Sequence, residues 1–408
     1  MLRLIRPTLI TLVCLLCSMC ISTGGKHSPA NPMAGSRPNI IYIFADDLSF
    51  RDLSVYGQQQ FTTPTLNALA VNGLRFSQGY AAAPECAPSR GTMMTGLHTG
   101  HAPIRTNSSA RGQDHLNPED ITIAEVLKEA GYATGMVGKW GMGLPGTPGT
   151  PDRQGFDFSF GYWDQSRAHT FFPHYLYKND EQIWYPENFG FDMERLYSNN
   201  INPPNPEWLN QYDDQGKLIA GGVKDPDKAI FSQTLFEEAS FEFIRDNKDQ
   251  PFFLYCATQL PHGPPVIDDL GEIHKRDDYP TTKHKEWAAM VQRIDTWTSE
   301  MIALLKQLNI YENTLIVFSS DNGYSMCGYF GRGNANNNWP DDPFLRNKGP
   351  FRGGKFSALE GGTRIPFFVS WPGAIEPGTA STPVWLVDLF PTFAELAGAT
   401  VADRKSVV

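Results

Sequence analysis

Four short apolar runs constrain this chain more than any other feature: NIIYIF at 39–44, FFLYCA at 252–257, LIVFS at 315–319 and IPFFVSW at 365–371. Each has the length and residue types of a buried strand. Between them lie segments with helical spacing. TIAEVLKEA at 122–130 stops at Gly131, after which 132–137 returns as a strand, and longer helical patterns cover 229–245 and 287–308. This alternation predicts an α/β fold with a large, mostly parallel mixed sheet flanked by helices. No internal repeat is visible.

The 408 residues suffice for one large α/β domain or two ordinary ones, and 41% hydrophobic with 12% aromatic residues is a globular composition. A formal net charge of −10 argues against a nucleic-acid partner, while leaving room for a local basic pocket and an anionic small substrate. The N-terminal 1–25 reads as an export signal: Arg3 and Arg6, an apolar run at 8–17, then small residues at 22–25. The run is too short to span a bilayer, so the expectation is an exported, periplasmic or secreted protein with no membrane span. Cys20 sits in a poor lipid-attachment box. Removal of the signal would take away Cys14, Cys17 and Cys20 and leave Cys86, Cys256 and Cys327, an odd number that speaks against a disulfide framework.

A linker is expected at 26–37. Between 141 and about 227 the texture turns to Pro, Gly, Asn and aromatics with little periodicity, which reads as a long ordered loop, and 324–350 reads as a second surface loop.

Polar groups follow the strands in a pattern. Asp46 and Asp47 come after the first, Lys139 after the second, His262 after the third, Asp321 and Asn322 after the fourth. Ligands of open α/β sheets sit outside the carboxyl ends of the strands, so these groups can converge. Three carboxylates and an amide carbonyl are hard oxygen ligands that suit Ca²⁺ or Mg²⁺ better than zinc or copper. Lys139 and the glycine-flanked Lys355 beside such an ion would make a pocket for a tetrahedral oxyanion. The plain alternatives are solvated acids, a snorkelling lysine and a turn histidine.

Cys86, in AAAPECAPSRGTMMTG at 81–96, fits this cluster badly, because soft sulfur is a poor ligand for a hard ion. Arg90 and a helix expected to start after Ser89 would lower its pKa and make it reactive; the alternative is an inert buried cysteine.

The run Cys86-Ala87-Pro88-Ser89-Arg90, followed by Gly91 to Gly96, resembles the maturation motif of the sulfatase family, within the alkaline-phosphatase-like superfamily. The resemblance extends from about 38 to about 398. It implies that Cys86 is converted by a formylglycine-forming maturation enzyme to Cα-formylglycine, a hard oxygen ligand and nucleophile as its hydrate. It further implies that Asp46, Asp47, Asp321, Asn322 and residue 86 bind one Ca²⁺. Arg90 would hold the hydrate and Lys139, His262 and Lys355 would contact sulfate, with His262 protonating the leaving alcohol. The catalytic domain is then expected at 38–400 with a tail at 401–408.

Two positions and the length depart from the family pattern. Glu85 replaces an apolar or small residue before the cysteine. Gly141 stands where members commonly carry a histidine that helps expel sulfate. The family usually continues into a smaller antiparallel C-terminal subdomain, for which this sequence has no room, so it reads as truncated. A base is still required, and His169, in GYWDQSRAHTFFPHYLYKN at 161–179, is the candidate, with His101 and His174 as substitutes. The aromatics of that stretch can stack on sugar rings or simply pack. The expected substrate is a sulfated carbohydrate of galactose or N-acetylgalactosamine type. The alternatives are a phosphodiesterase or phosphonate hydrolase of the same superfamily, and a non-catalytic glycan-binding relic.

Overall fold

The computed structural model describes residues 33, 35–107, 113–188, 210–220, 225–325 and 340–399. The export segment, most of the linker, Cys327 and the tail therefore lie outside the described residues.

All seven residues of β1 (Asn39–Ala45) are buried, as an apolar run without alternation requires, since both of its faces must be covered. It is flanked in parallel by β9 (Phe252–Ala257) and β10 (Thr314–Ser320). Beyond β9 lie β3 (Ala133–Lys139) and β4 (Phe158–Tyr162), also parallel. These five strands form the centre of an 11-stranded sheet. Antiparallel pairing begins on either side of this centre. β11 (Arg364–Ser370) pairs with β10 and with β2 (Leu74–Tyr80), while the outermost β12 (Gly378–Ala380) and β13 (Val384–Trp385) pair in parallel with β2. The hairpin of β5 (Tyr175–Lys178) and β6 (Glu181–Trp184) extends β4. A separate two-stranded ribbon joins β7 (Gln211–Tyr212) and β8 (Leu218–Ala220).

Alternate residues of β1 show how the two faces are filled. Ile41 and Ile43 belong to a core shared with Trp287, Ile294 and Trp297 of the long helix at 282–307. Tyr42 points the other way, its ring 6.4 Å from that of Phe393. In chain order the helices are α1 (Pro64–Val71), α2 (Cys86–Thr95), α3 (Ile123–Glu129), α4 (Ser232–Asp246), α5 (Thr282–Gln307), α6 (Glu360–Thr363) and α7 (Leu389–Ala397). α3 begins in a capping box: the Thr122 hydroxyl accepts from Glu125 N while the Glu125 carboxylate accepts from Thr122 N.

Two expectations need correction. The stretch from 141 is not only loop, because β4, β5 and β6 lie in it; β4 is a glycine-containing strand whose place is set by pairing with β3 rather than by its own periodicity. And α2 starts at Cys86 itself, not after Ser89, since Ser89 N already donates to Glu85 O.

Candidate active site

The parallel centre of the sheet ends at one edge, and the register fixes what meets there. Ala45 pairs with Ser320, so Asp46 and Asp321 leave adjacent strands side by side. Lys139 is the last residue of β3, opposite Tyr162 at the end of β4. β9 runs into the turn that carries His262. Asp47 takes a left-handed conformation, φ 62°, and its N–H donates to Asp321 Oδ1 at 3.0 Å.

Cys86 enters from the start of α2, and all ten residues of that helix are buried. Its Sγ lies 3.4 Å from both Asp46 Oδ1 and Asn322 Oδ1, and Lys355 Nζ is 3.1 Å away. Asp46, Asp47, Cys86 and His262 can bring one ligand atom each within 4.8 Å of one another. Asn322 joins through its amide, which also donates to Asp47 Oδ1 at 2.7 Å. Asp321 stands one step back. Its Oδ2 takes a bidentate pair from Arg90, at 3.1 Å from Nε and 2.9 Å from NH2, and Arg90 NH1 donates to Lys139 O at 3.0 Å. With its NH2 also 3.8 Å from Asp46 Oδ2, Arg90 links three of the strand ends.

Three buried cations answer three buried carboxylates. Lys139 Nζ lies 2.5 Å from Asp46 Oδ2, Lys355 Nζ 2.8 Å from Asp47 Oδ1, and Arg90 on Asp321. Burial opposes ionisation of Asp47, yet Lys355 and His262 hold its carboxyl well below the usual range. Burial and the neighbouring Asp46 push Asp321 up to about 6, offset by Arg90; a carboxylate gripped bidentately remains ionised at neutral pH.

The thiol behaves otherwise than its motif suggests. Burial, then the charges of Asp321 and Asp46, raise the Cys86 pKa well above the ordinary value, and the two lysines do not compensate. A helix N-terminus and a nearby arginine do not make a thiolate here.

Each lysine also meets a histidine. Lys139 Nζ is 3.2 Å from His169 Nε2 and Lys355 Nζ 3.3 Å from His262 Nε2. His262 Nδ1 lies 2.5 Å from Gly263 O, an atom that can only accept, so Nδ1 carries the proton and Nε2 presents a lone pair to Lys355. His169 reaches the cluster because Asp164 Oδ1 accepts from Ser166 N and Arg167 N, starting a 3-10 turn at Arg167–His169 just beyond β4. Of the other histidines considered, His101 is exposed and faces the His98 ring at 6.4 Å, and His174 leads into β5.

Two residues at the site carried no usable sequence signal. Ser325 Oγ donates to Asp47 Oδ2 at 2.6 Å, and the Gln165 side chain lies over Gly141. Glu85, the unusual residue before the cysteine, accepts from Asn107 N at 3.3 Å, and Asn107 Oδ1 accepts from Ala87 N in the first turn of α2. No helix among the described residues is long and apolar enough to cross a membrane.

Comparison with known proteins gives a consistent picture. An N-acetylgalactosamine-6-O-sulfatase of Bacteroides thetaiotaomicron is 29% identical over 91% of this chain and 75% of its own length. Arylsulfatase A of Homo sapiens is 32% identical over 90% of this chain, which spans only 65% of that protein. A crystal structure of Ps i-CgsB in complex with k-i-k-neocarrahexaose superposes with a TM-score of 0.68 at 30% identity, over 90% of this chain and 73% of that one. The sulfatase family itself matches residues 38–399. Since that match runs from just before β1 to just beyond α7, and so takes in every residue of the buried cluster, the chain belongs to the sulfatase family of sulfuric ester hydrolases.

Proposed function

We propose that this protein removes sulfate from a sulfated carbohydrate of galactose or N-acetylgalactosamine type, using residue 86 as formylglycine and one Ca²⁺. The observation that carries the reading is the position of Cys86: a neutral, fully buried thiol beside Lys355 and against the oxygens of Asp46 and Asn322. A thiol has no good chemistry there, whereas an oxygen at the same atom has three uses, as ligand, nucleophile and hydrogen-bond partner.

The donor set fits a hard divalent cation. Asp46, Asp47, Asn322 and Asp321 offer carboxylate and amide oxygens, all on residues fully buried, and the only soft atom is the Cys86 sulfur that conversion removes. Bound there, Ca²⁺ would supply Lewis-acid polarisation of a sulfate oxygen and of the residue-86 hydroxyl.

The chain's own side chains do the rest. Lys139, beside Asp46, and Lys355, beside Asp47 and residue 86, neutralise charge on the non-bridging oxygens of sulfate, in a site where low dielectric strengthens that attraction. Arg90 and Asp321 hold the strand ends in place. His262 is neutral at rest, burial holding its pKa well below the ordinary value. An anionic ester beside it raises its proton affinity, so that on substrate binding Nε2 takes a proton from solvent and passes it to the leaving oxygen, while Lys355 stays charged. His169, neutral and aligned on Lys139, is the group to take the proton whose removal expels sulfate.

The galactose-type preference rests on the sequence likeness to the bacterial relative, and export rests on the N-terminal pattern. A maturation enzyme acting on Cys86 is the implied partner. Two measurements test the core of the reading. The peptide containing residue 86 should weigh about 18 Da less than its cysteine form, and Cys86→Ala should abolish sulfate ester hydrolysis. Full turnover by the alanine variant would overturn the assignment.

A further inference from the structure

Gln165 has a buried side-chain amide with no hydrogen-bond partner at either end, the only one of which this is true among the described residues. Such groups are rare because neither the donor nor the acceptor regains what it lost on leaving water. Its backbone is fixed, with Gln165 N donating to Gln113 Oε1 at 2.6 Å in the turn begun by Asp164. The orphaned amide is therefore held in place rather than stranded on a loose loop.

What it faces is equally specific. Gly141, two residues beyond Lys139, has φ +75°, and a Cβ built there would lie 2.4 Å from Gln165 Oε1. The amide thus fills the space that a side chain at 141 would need. Four residues beyond Gln165, His169 meets Lys139 at 3.2 Å and is only partly buried. Gln165 is thus tied in sequence and space to the two segments that carry Lys139 and His169, and its amide is bonded to neither residue.

We propose that the Gln165 amide is a specificity determinant that binds a hydroxyl of the sugar ring carrying the sulfate; this rests on the carbohydrate sulfatase reading above. The chemistry selects that partner. Sulfate is already served by Lys139 and Lys355, and an acceptor oxygen pointed at an anion would repel it. A sugar hydroxyl both donates and accepts, which is what a carbonyl and an NH₂ on one planar group can satisfy together. A site built to bond a hydroxyl loses discrimination when the bond is removed.

The test compares N-acetylgalactosamine 6-sulfate with 4-methylumbelliferyl sulfate, whose leaving group has no sugar hydroxyl. Gln165→Met keeps length and packing but removes both polar atoms. The ratio of kcat/KM for the sugar sulfate over the aryl sulfate should fall on the order of 10- to 100-fold in the variant, while its Tm stays equal or rises, because an unsatisfied buried amide has been replaced by an apolar group. An unchanged ratio, or a fall accompanied by a lower Tm that Gln165→Glu restores, would overturn the assignment. If the wild-type protein, with residue 86 shown by mass to be converted, hydrolysed neither ester, it is the sulfatase reading that would fall instead.

Discussion

The imidazole rings of His169 and His262 lie face to face, centroids 3.6 Å apart and planes 3° from parallel. Each presents Nε2 to a lysine, His169 to Lys139 and His262 to Lys355. Burial comes first among the causes that hold both pKa values well below the ordinary histidine range, and for His169 the neighbouring His262 comes second. Two imidazolium rings at this separation would repel strongly, so the stack of two neutral rings takes up one further proton at most. It joins two rings drawn from distant parts of the chain.

His169→Ala should therefore separate the two halves of the reaction. One equivalent of alcohol per enzyme is expected in a rapid burst, followed by a stall, since the step that needs a base is lost. Rapid-quench kinetics on an aryl sulfate would show this. Steady turnover with only a raised KM would place His169 in substrate binding.

Asp321→Ala removes the carboxylate that accepts from both Nε and NH2 of Arg90 and leaves that buried guanidinium with only the more distant Asp46, 3.8 Å away. Loss of about 3–5 kcal/mol of stability is expected for breaking such a pair, together with weaker Ca²⁺ binding by calorimetry, because Asp47 N loses its anchor as well. In the wild-type protein, chelation should lower both activity and Tm. Calcium affinity unchanged in the variant would place the ion elsewhere.

Lys355→Ala takes away one charge from the anion pocket but no oxygen ligand. Its rate should drop on the order of 10²-fold or more with Ca²⁺ still bound, as for one deleted transition-state contact. Equal losses of rate and metal would show that Lys355 maintains the geometry of Asp47 rather than meeting sulfate.

Gly141→Ala places a β-carbon on a left-handed backbone and against the Gln165 amide. A cost of about 1–2 kcal/mol is expected from the backbone alone. In a Gln165→Ala background the contact disappears while the backbone strain remains, so the cost should shrink without vanishing in a denaturation double-mutant cycle.

Glu286 predicts a pH dependence well away from the site. Burial pushes its carboxyl up to about 8, although Asn210 Nδ2 at 2.6 Å and Tyr212 OH at 2.8 Å donate to it. The folded state thus holds this proton more tightly than the unfolded chain. Its contribution to stability is full below the unfolded value near 4.5 and is lost as pH rises towards 8. Glu286→Gln keeps the acceptor and should be the more stable form at pH 8 by on the order of a few kcal/mol, with the difference vanishing near pH 4. An equal pH slope for both proteins in urea denaturation would contradict it.

Much of this was open to reading from residue order. Runs such as 252–257 and 315–319 can only be buried strands, and the polar residues after them must emerge at one sheet edge once the strands are parallel, so Asp46, Asp47, Lys139, His262, Asp321 and Asn322 were legible as a set. Local pattern carries that information. It does not carry the place of β4, whose FSFGY takes its position from β3, nor the start of α2, nor the state of the Cys86 thiol, which burial and two carboxylates set against the influence of the helix and arginine. Nor does it show that Gln165 occupies the room above Gly141, or that His169 stacks on His262. Those relations join segments far apart in the chain, and only packing of the whole domain brings them within the few ångströms at which hydrogen bonds and charges act.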